Sequence, residues 1–261
     1  MAENKTEMTN KNVDAAQSAA DDAAELIELN EGRAKTYGFL ARLYREEASQ
    51  ELIDEMFKLK YRVSTGNEAL DKGHKLIATW LSGLWENSAT ELSADYMRTF
   101  FGHGYSGHAA AYPFESVYAS EKRLLMQGAR DEILALYRAA GLDKQESWKE
   151  GEDHIALELE YMQVLINRTV DAIKAGKDED AFRLVKAQLN FMEDHLGGWA
   201  PLLCEQMRNF AKTTFYQGLS YMTDGFLEVD TELMRDMLSA EDDEAGEGTA
   251  ANSEAEAETE A

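Results

Sequence analysis

The sequence predicts an all-α protein, a single-domain helical bundle of about ten helices over residues 30–240, with disordered acidic ends at 1–29 and 241–261. Three observations predict it. Apolar residues recur at helical spacing along the body, strand-like alternation is almost absent, and only two prolines interrupt 261 residues. The ends read differently. Residues 241–261 hold nine acids, no base, and no aromatic or branched aliphatic side chain, so burial cannot offset the entropy of ordering them. The first 25 or so residues are rich in Ala, Asn and acids and fall in the same class.

Within the body, Tyr37, Leu40, Ala41 and Tyr44 lie at i, i+3, i+4 and i+7 and mark the first helix. Ser49 is placed to cap a second, carrying Leu52, Ile53, Met56 and Phe57. Leu70, His74, Ile77, Leu81 and Leu84 form one stripe of a third. Thr90 is the expected cap of a fourth, through Leu92, Tyr96 and Phe100. A long glycine-bearing break follows, "FFGHGYSGHAAAYPFESVY", in which Gly102, Gly104 and Gly107 precede Tyr112-Pro113-Phe114. Such a loop inside a helical domain is a functional candidate. Ile133, Leu136, Tyr137 and Ala140 mark a shorter helix closed by Gly141. After residue 153 three or four long helices are expected. One runs Asp178 to Leu196 and is stopped by Gly197-Gly198, and another starts around Pro201.

The formal net charge is −24, of which residues 32–240 carry −9. Phosphate backbones and anionic membranes are poor partners for such a surface, and a basic peptide suits it. No window holds the ~18 consecutive apolar residues of a membrane span. The N-terminus lacks the order of a signal peptide. One cysteine, Cys204, excludes an internal disulfide and a cysteine-based zinc site. We therefore expect a cytoplasmic protein with no cofactor, no metal, no nucleic-acid partner and no stable membrane insertion.

The chemistry concentrates in "EGEDHIALELEYM", residues 150–162. On a helical wheel Ile155, Leu159, Met162 and Ile166 share one arc, and Glu160, Gln163, Asn167 and Asp171 face solvent. Glu158 falls inside the apolar arc, where a carboxylate needs a partner. His154, one turn earlier, can reach it, and Asp153 stands where the helix N-cap belongs. The plain reading is a capped helix with a satisfied His154–Glu158 pair. An enzymatic alternative is a metal-dependent hydrolase using His154, Glu158 and a loop histidine, His103 or His108, though no third ligand stands at motif spacing. No Glu-x-x-His pair, nucleophile elbow, Walker loop or dinucleotide fingerprint occurs.

Two segments together resemble the TorD/DmsD family of cytoplasmic redox-enzyme maturation chaperones. The matches are Phe101-Gly102, then Pro113-Phe114-Glu115-Ser116-Val117-Tyr118, then Asp153-His154-Ile155, Glu158-Leu159 and Tyr161-Met162. The segment from His195 through Trp199 to Phe215-Tyr216 fits the family's closing helices. Gly151 stands where the family has proline, and Tyr161 where it has phenylalanine. The resemblance implies an all-α fold without catalysis. It also implies binding of the N-terminal twin-arginine signal peptide, or N-terminal region, of a molybdopterin oxidoreductase catalytic subunit until the molybdenum cofactor is loaded. By the same resemblance, Tyr112, Pro113, Phe114, Glu115, Ser116, Asp153 and His154 would hold the peptide. Phe101, Gly102, Tyr118 and Glu158 would support the groove, and the chain would be a monomer or an exchanged dimer.

Overall fold

The computed structural model describes the backbone of residues 2–62, 64–102, 109–119 and 128–259, and the side chains of these from residue 20 to residue 239 and of residue 17. Among the described residues ten α-helices and one π-helical turn occur, and the only pairing of extended backbone is an isolated antiparallel bridge between Phe114 and His154. In chain order the helices are α1 (Ala2–Arg45), α2 (Gln50–Phe57), α3 (Glu68–Ser82), α4 (Ser88–Phe101), α5 (Glu115–Ala119), α6 (Gly128–Ala139), α7 (Ile155–Lys174), α8 (Asp178–Phe191), α9 (Gly197–Phe210) and α10 (Thr214–Thr259). The chain is all-α.

Local chemistry sets most of these boundaries. The Ser49 hydroxyl accepts the Leu52 amide at 3.3 Å and starts α2, and the Asn67 side chain accepts the Leu70 amide at 2.9 Å and starts α3. α4 begins two residues before the expected cap. The Ser88 hydroxyl accepts the Trp85 amide, folding the preceding turn back, so Thr90 lies inside the first helical turn. Gly141, at φ 70°, closes α6 as expected. The Gly197-Gly198 stop does not occur. α8 runs through a π-helical turn, Met192–Leu196, straight into α9, and both glycines are helical. Gly197 is needed there for room rather than for φ, because a Cβ would stand 2.7 Å from the Met192 carbonyl oxygen.

α1 packs along α7, and α8 lies on the other flank of α7. α3 packs along α10, which also carries α9 and part of α8. The α3–α10 crossing is backbone to backbone. A Cβ at Gly73 would come 2.5 Å from the Met222 nitrogen, and one at Gly225 2.5 Å from the Leu70 nitrogen. α1 is joined to α10 by a buried polar knot. Arg33 donates to both oxygens of Asp230, at 2.6 and 3.0 Å, Tyr37 donates to Asp230 at 2.7 Å, and Arg33 also donates to Asn30. Asp95, fully buried on α4, accepts the Lys212 and Thr213 amides and the Thr213 hydroxyl, which caps the start of α10.

The core predicted from periodicity is present, with Tyr37, Leu40, Ala41, Tyr44, Ile53, Ile77, Leu92 and Phe100 all essentially inaccessible. Among the described side chains none before Asn30 is buried and none after Met234. The buried side chains thus run from Asn30 to Met234, and the side chains of the acidic segment 241–261 lie outside the described residues. Among the described residues no helix is long and apolar enough to cross a membrane.

Candidate functional site

Pro113 has no amide hydrogen, and its ring keeps the preceding residue, Tyr112, out of the helical region. The Pro113 carbonyl accepts the Ile155 amide at 3.0 Å. One residue pair further along, the Glu115 amide donates to the Asp153 carbonyl at 3.0 Å. Together these make the Phe114–His154 bridge, which stitches the segment before α5 to the segment before α7.

Asp153 does not cap its own helix. Its Oδ2 accepts the Ser116 amide at 3.0 Å, so it caps α5, 37 residues away in sequence. The cap of α7 is His154, whose Nδ1 accepts the Ala156 amide at 3.1 Å. The expected His154–Glu158 pair is likewise absent. The His154 ring lies edge-on to Phe114 and Trp148, at centroid distances of 5.1 and 5.0 Å. Burial, reinforced by the nearby Arg45 guanidinium, pushes its pKa down to about 3, so the ring is neutral and free to accept. Arg45 itself lies over the Trp148 ring at 5.6 Å.

Glu158 is fully buried on α7, as its place in the apolar arc predicts, and its partner is Trp199 of α9, whose Nε1 donates to Oε2 at 2.9 Å. Burial raises the Glu158 pKa well above the carboxylate range, the charge of Glu115 adds to it, and the Trp199 bond opposes both only in part. Burial thus favours the protonated form of Glu158. Glu158→Gln, which keeps an acceptor for Trp199, is expected to change stability by less than about 1 kcal/mol in urea denaturation. A loss of several kcal/mol would show that the ionised form is the one the fold uses.

Glu115, at the start of α5, is paired with His195, whose Nδ1 lies 3.1 Å from Oε1. Glu152 anchors the approach to α7 by pairing with Arg130 of α6 and with Lys144, the latter at 2.9 Å, and these partners pull its pKa down to about 2 despite burial. Among the described residues, Asp153 Oδ1 and Glu158 Oε1 in this region are buried with no hydrogen-bond partner.

The structure therefore brings Pro113, Phe114, Glu115, Ser116, Asp153, His154 and Glu158 into one region. All seven side chains are buried, while Tyr112 is half-buried. Tyr118 stacks on Trp199 at 5.6 Å. Gly102 ends α4 with φ 70°, donating its amide to the Arg98 and Met97 carbonyls. Phe101 stands apart, 42% exposed and tilted against Tyr96. Sequence reasoning missed Trp148, Arg130, Glu152 and His195 as members, and took Trp199 only as a matching position. Their signal is weak because Arg130 and His195 come from other elements, and Trp148 and Glu152 from the irregular connection before α7. Among the described residues no group of three His, Cys, Asp or Glu could hold a metal. His103 and His108 lie outside the described residues.

A family model described as "Nitrate reductase delta subunit" matches residues 66–205, more than half of the chain, and spans the α5 loop and the α7 start. The chain belongs to the TorD/DmsD family of redox-enzyme maturation chaperones. Relatives named chaperone protein TorD include that of Aliivibrio salmonicida, 29% identical over 80% of this chain and 98% of its own length. Those of Vibrio parahaemolyticus and Photobacterium profundum are each 27% identical, over 79% and 80% of this chain and 96% and 97% of theirs. Membership makes the chain a chaperone rather than an enzyme, with a redox enzyme as its partner class. The capping role of His154 and the bond of Glu158 to Trp199 suit that assignment better than the hydrolase alternative.

Proposed function

We propose that this chain binds the N-terminal twin-arginine signal peptide of a molybdopterin oxidoreductase catalytic subunit and holds it in the cytoplasm for cofactor insertion. The observation that carries this reading is the stitching of the Pro113–Ser116 segment to Asp153–Ile155, which sets a short helix over a buried acidic group. Relatives with the name chaperone protein TorD support it. A signal peptide offers arginines followed by an apolar stretch. Net negative charge on the body complements the first, and the half-buried Tyr112 and Tyr118 offer aromatic surface to the second.

Asp153 and His154 are buried, so in this reading they act by fixing α5 and the mouth of α7. Asp153→Ala frees the Ser116 amide. It is expected to weaken a synthetic twin-arginine signal peptide by about tenfold or more in calorimetric titration, the order of one charge-assisted hydrogen bond. The far-UV circular dichroism should persist. Equal loss of helix and binding would make Asp153 purely structural. A wild-type chain that captures no molybdopterin oxidoreductase subunit from host cells making one would sink the proposal. A second peptide, a mature N-terminus of a nitrate-reductase-like subunit without the arginine pair, is favoured by the description of the matching family and belongs in the same titration.

A further inference from the structure

His195 is a buried titratable group that the peptide-holding reading leaves unused. It sits in the π-helical turn Met192–Leu196, between α8 and α9. Such turns insert one extra residue into a helix and are frequent at functional sites. Here the turn has a steric signature. The Gly197 amide donates to the Met192 carbonyl, and only glycine leaves room for that oxygen. The displaced ring of His195 packs against Phe191, with centroids 5.3 Å apart, and reaches Glu115 of α5, its Nδ1 3.1 and 3.4 Å from the two carboxylate oxygens.

We propose that His195 is a positioning residue whose ring, presented by the π-helical turn, holds Glu115 and with it the first turn of α5 in the orientation that receives the peptide. The proposal rests on the function proposed above. Glu115 has two acidic neighbours, Glu158 and Asp153, and its own amide donates to the Asp153 carbonyl while the Asp153 carboxylate accepts the Ser116 amide. Without the His195 contact, nothing among the described residues of α8 or α9 holds the buried Glu115 carboxylate inward, and it turns toward water. It stands next to Ser116, so turning outward moves the α5 backbone away from Asp153.

The groups facing His195 all bear on its charge. Glu115 comes from α5, Glu132 from α6 and Asp194 from its own turn, while Glu193 of the turn is engaged by Arg235 of α10 at 2.6 Å. The bond to Glu115, then these charges, raise the His195 pKa against the opposing effect of burial. The hold on α5 is thus complete below the ordinary histidine value. It is lost as pH rises through the raised value.

Two readouts on the full chain separate this inference from the function on which it rests. Hydrogen exchange in residues 112–119, corrected for intrinsic rate, reports the seating of α5, and calorimetry with a synthetic twin-arginine signal peptide reports binding. In the wild type, both protection and affinity are expected to fall about tenfold between pH 6 and pH 8.5. His195→Gln should sit at the low value at both pH values, and His195→Arg, which keeps a cation, should restore the high value at both. Gly197→Ala, which disturbs the turn without touching the ring, should resemble His195→Gln at pH 6. Exchange that is the same in wild type and His195→Gln at both pH values overturns the inference, whether or not peptide binds. Peptide that fails to bind the wild type at any pH, with exchange behaving as expected, overturns the proposed function and supports the positioning of α5 by His195.

Discussion

Asp230→Ala is expected to cost about 3–5 kcal/mol of folding free energy, because it strands a buried guanidinium and removes the acceptor of a buried tyrosine hydroxyl. Arg33 is 4% exposed, and both of its bonds to Asp230 are lost along with that of Tyr37. The remaining Asn30 oxygen cannot neutralise the charge. Urea denaturation checks the magnitude. The paired change Arg33→Met with Asp230→Leu should recover most of the loss, since replacing both partners removes the desolvation penalty along with the attraction. If the double variant is no more stable than Asp230→Ala, the knot matters for its shape and not for its charges.

Acid should weaken the fold through His154 by an amount of similar size. The folded ring has its pKa pushed down to about 3, first by burial and then by Arg45, against about 6.5 in the unfolded chain. The stabilisation is fully present above about pH 6.5. Below that the unfolded chain takes up a proton that the folded chain refuses, so stability falls until the folded ring protonates near pH 3. At ~1.4 kcal/mol per pH unit the full effect approaches 4–5 kcal/mol. His154→Asn retains an acceptor for the α7 cap and cannot titrate. Denaturation curves measured between pH 7 and pH 4 should therefore converge or cross for wild type and variant. Curves that stay parallel would mean that the folded ring titrates normally. His195 works in the opposite sense, since its contribution is lost as pH rises.

Residues 150–162 show which parts of this were legible beforehand. The apolar stripe of α7 follows from the 100° advance per residue, and the buried place of Glu158 follows from the same wheel. Its partner did not follow, because a wheel describes one helix and Trp199 lies 41 residues away on another. Asp153 was misread for a related reason. A cap is a local inference, and here the carboxylate serves a distant helix while the next residue, a histidine, takes the local role. Neutral histidine is an unusual cap, and what makes it acceptable is the burial between Phe114 and Trp148 that keeps the proton off. The glycine pair 197–198 was misread because glycine is enriched after helix ends, whereas here a close carbonyl demands it inside a continuing helix. The loop and the Asp-His start were visible together only through their resemblance to a family, since no local rule relates residues 40 apart.

The glycine crossing of α3 and α10 bears on how the chain deforms. Helices usually slide past one another by small changes of side-chain rotamer, which act as a lubricating layer between two backbones. At Gly73, Gly218 and Gly225 that layer is missing, and each backbone abuts the other directly. At these close approaches the seam behaves as a weld, with little side chain between the backbones to absorb shear. The α5 segment differs, being five residues long and tied down by a few hydrogen bonds and one ion pair. Compliance is thereby sorted within the molecule: the α3–α10 half is the anvil, and any yielding needed to take in a guest falls to the stitched seam between α5 and α7.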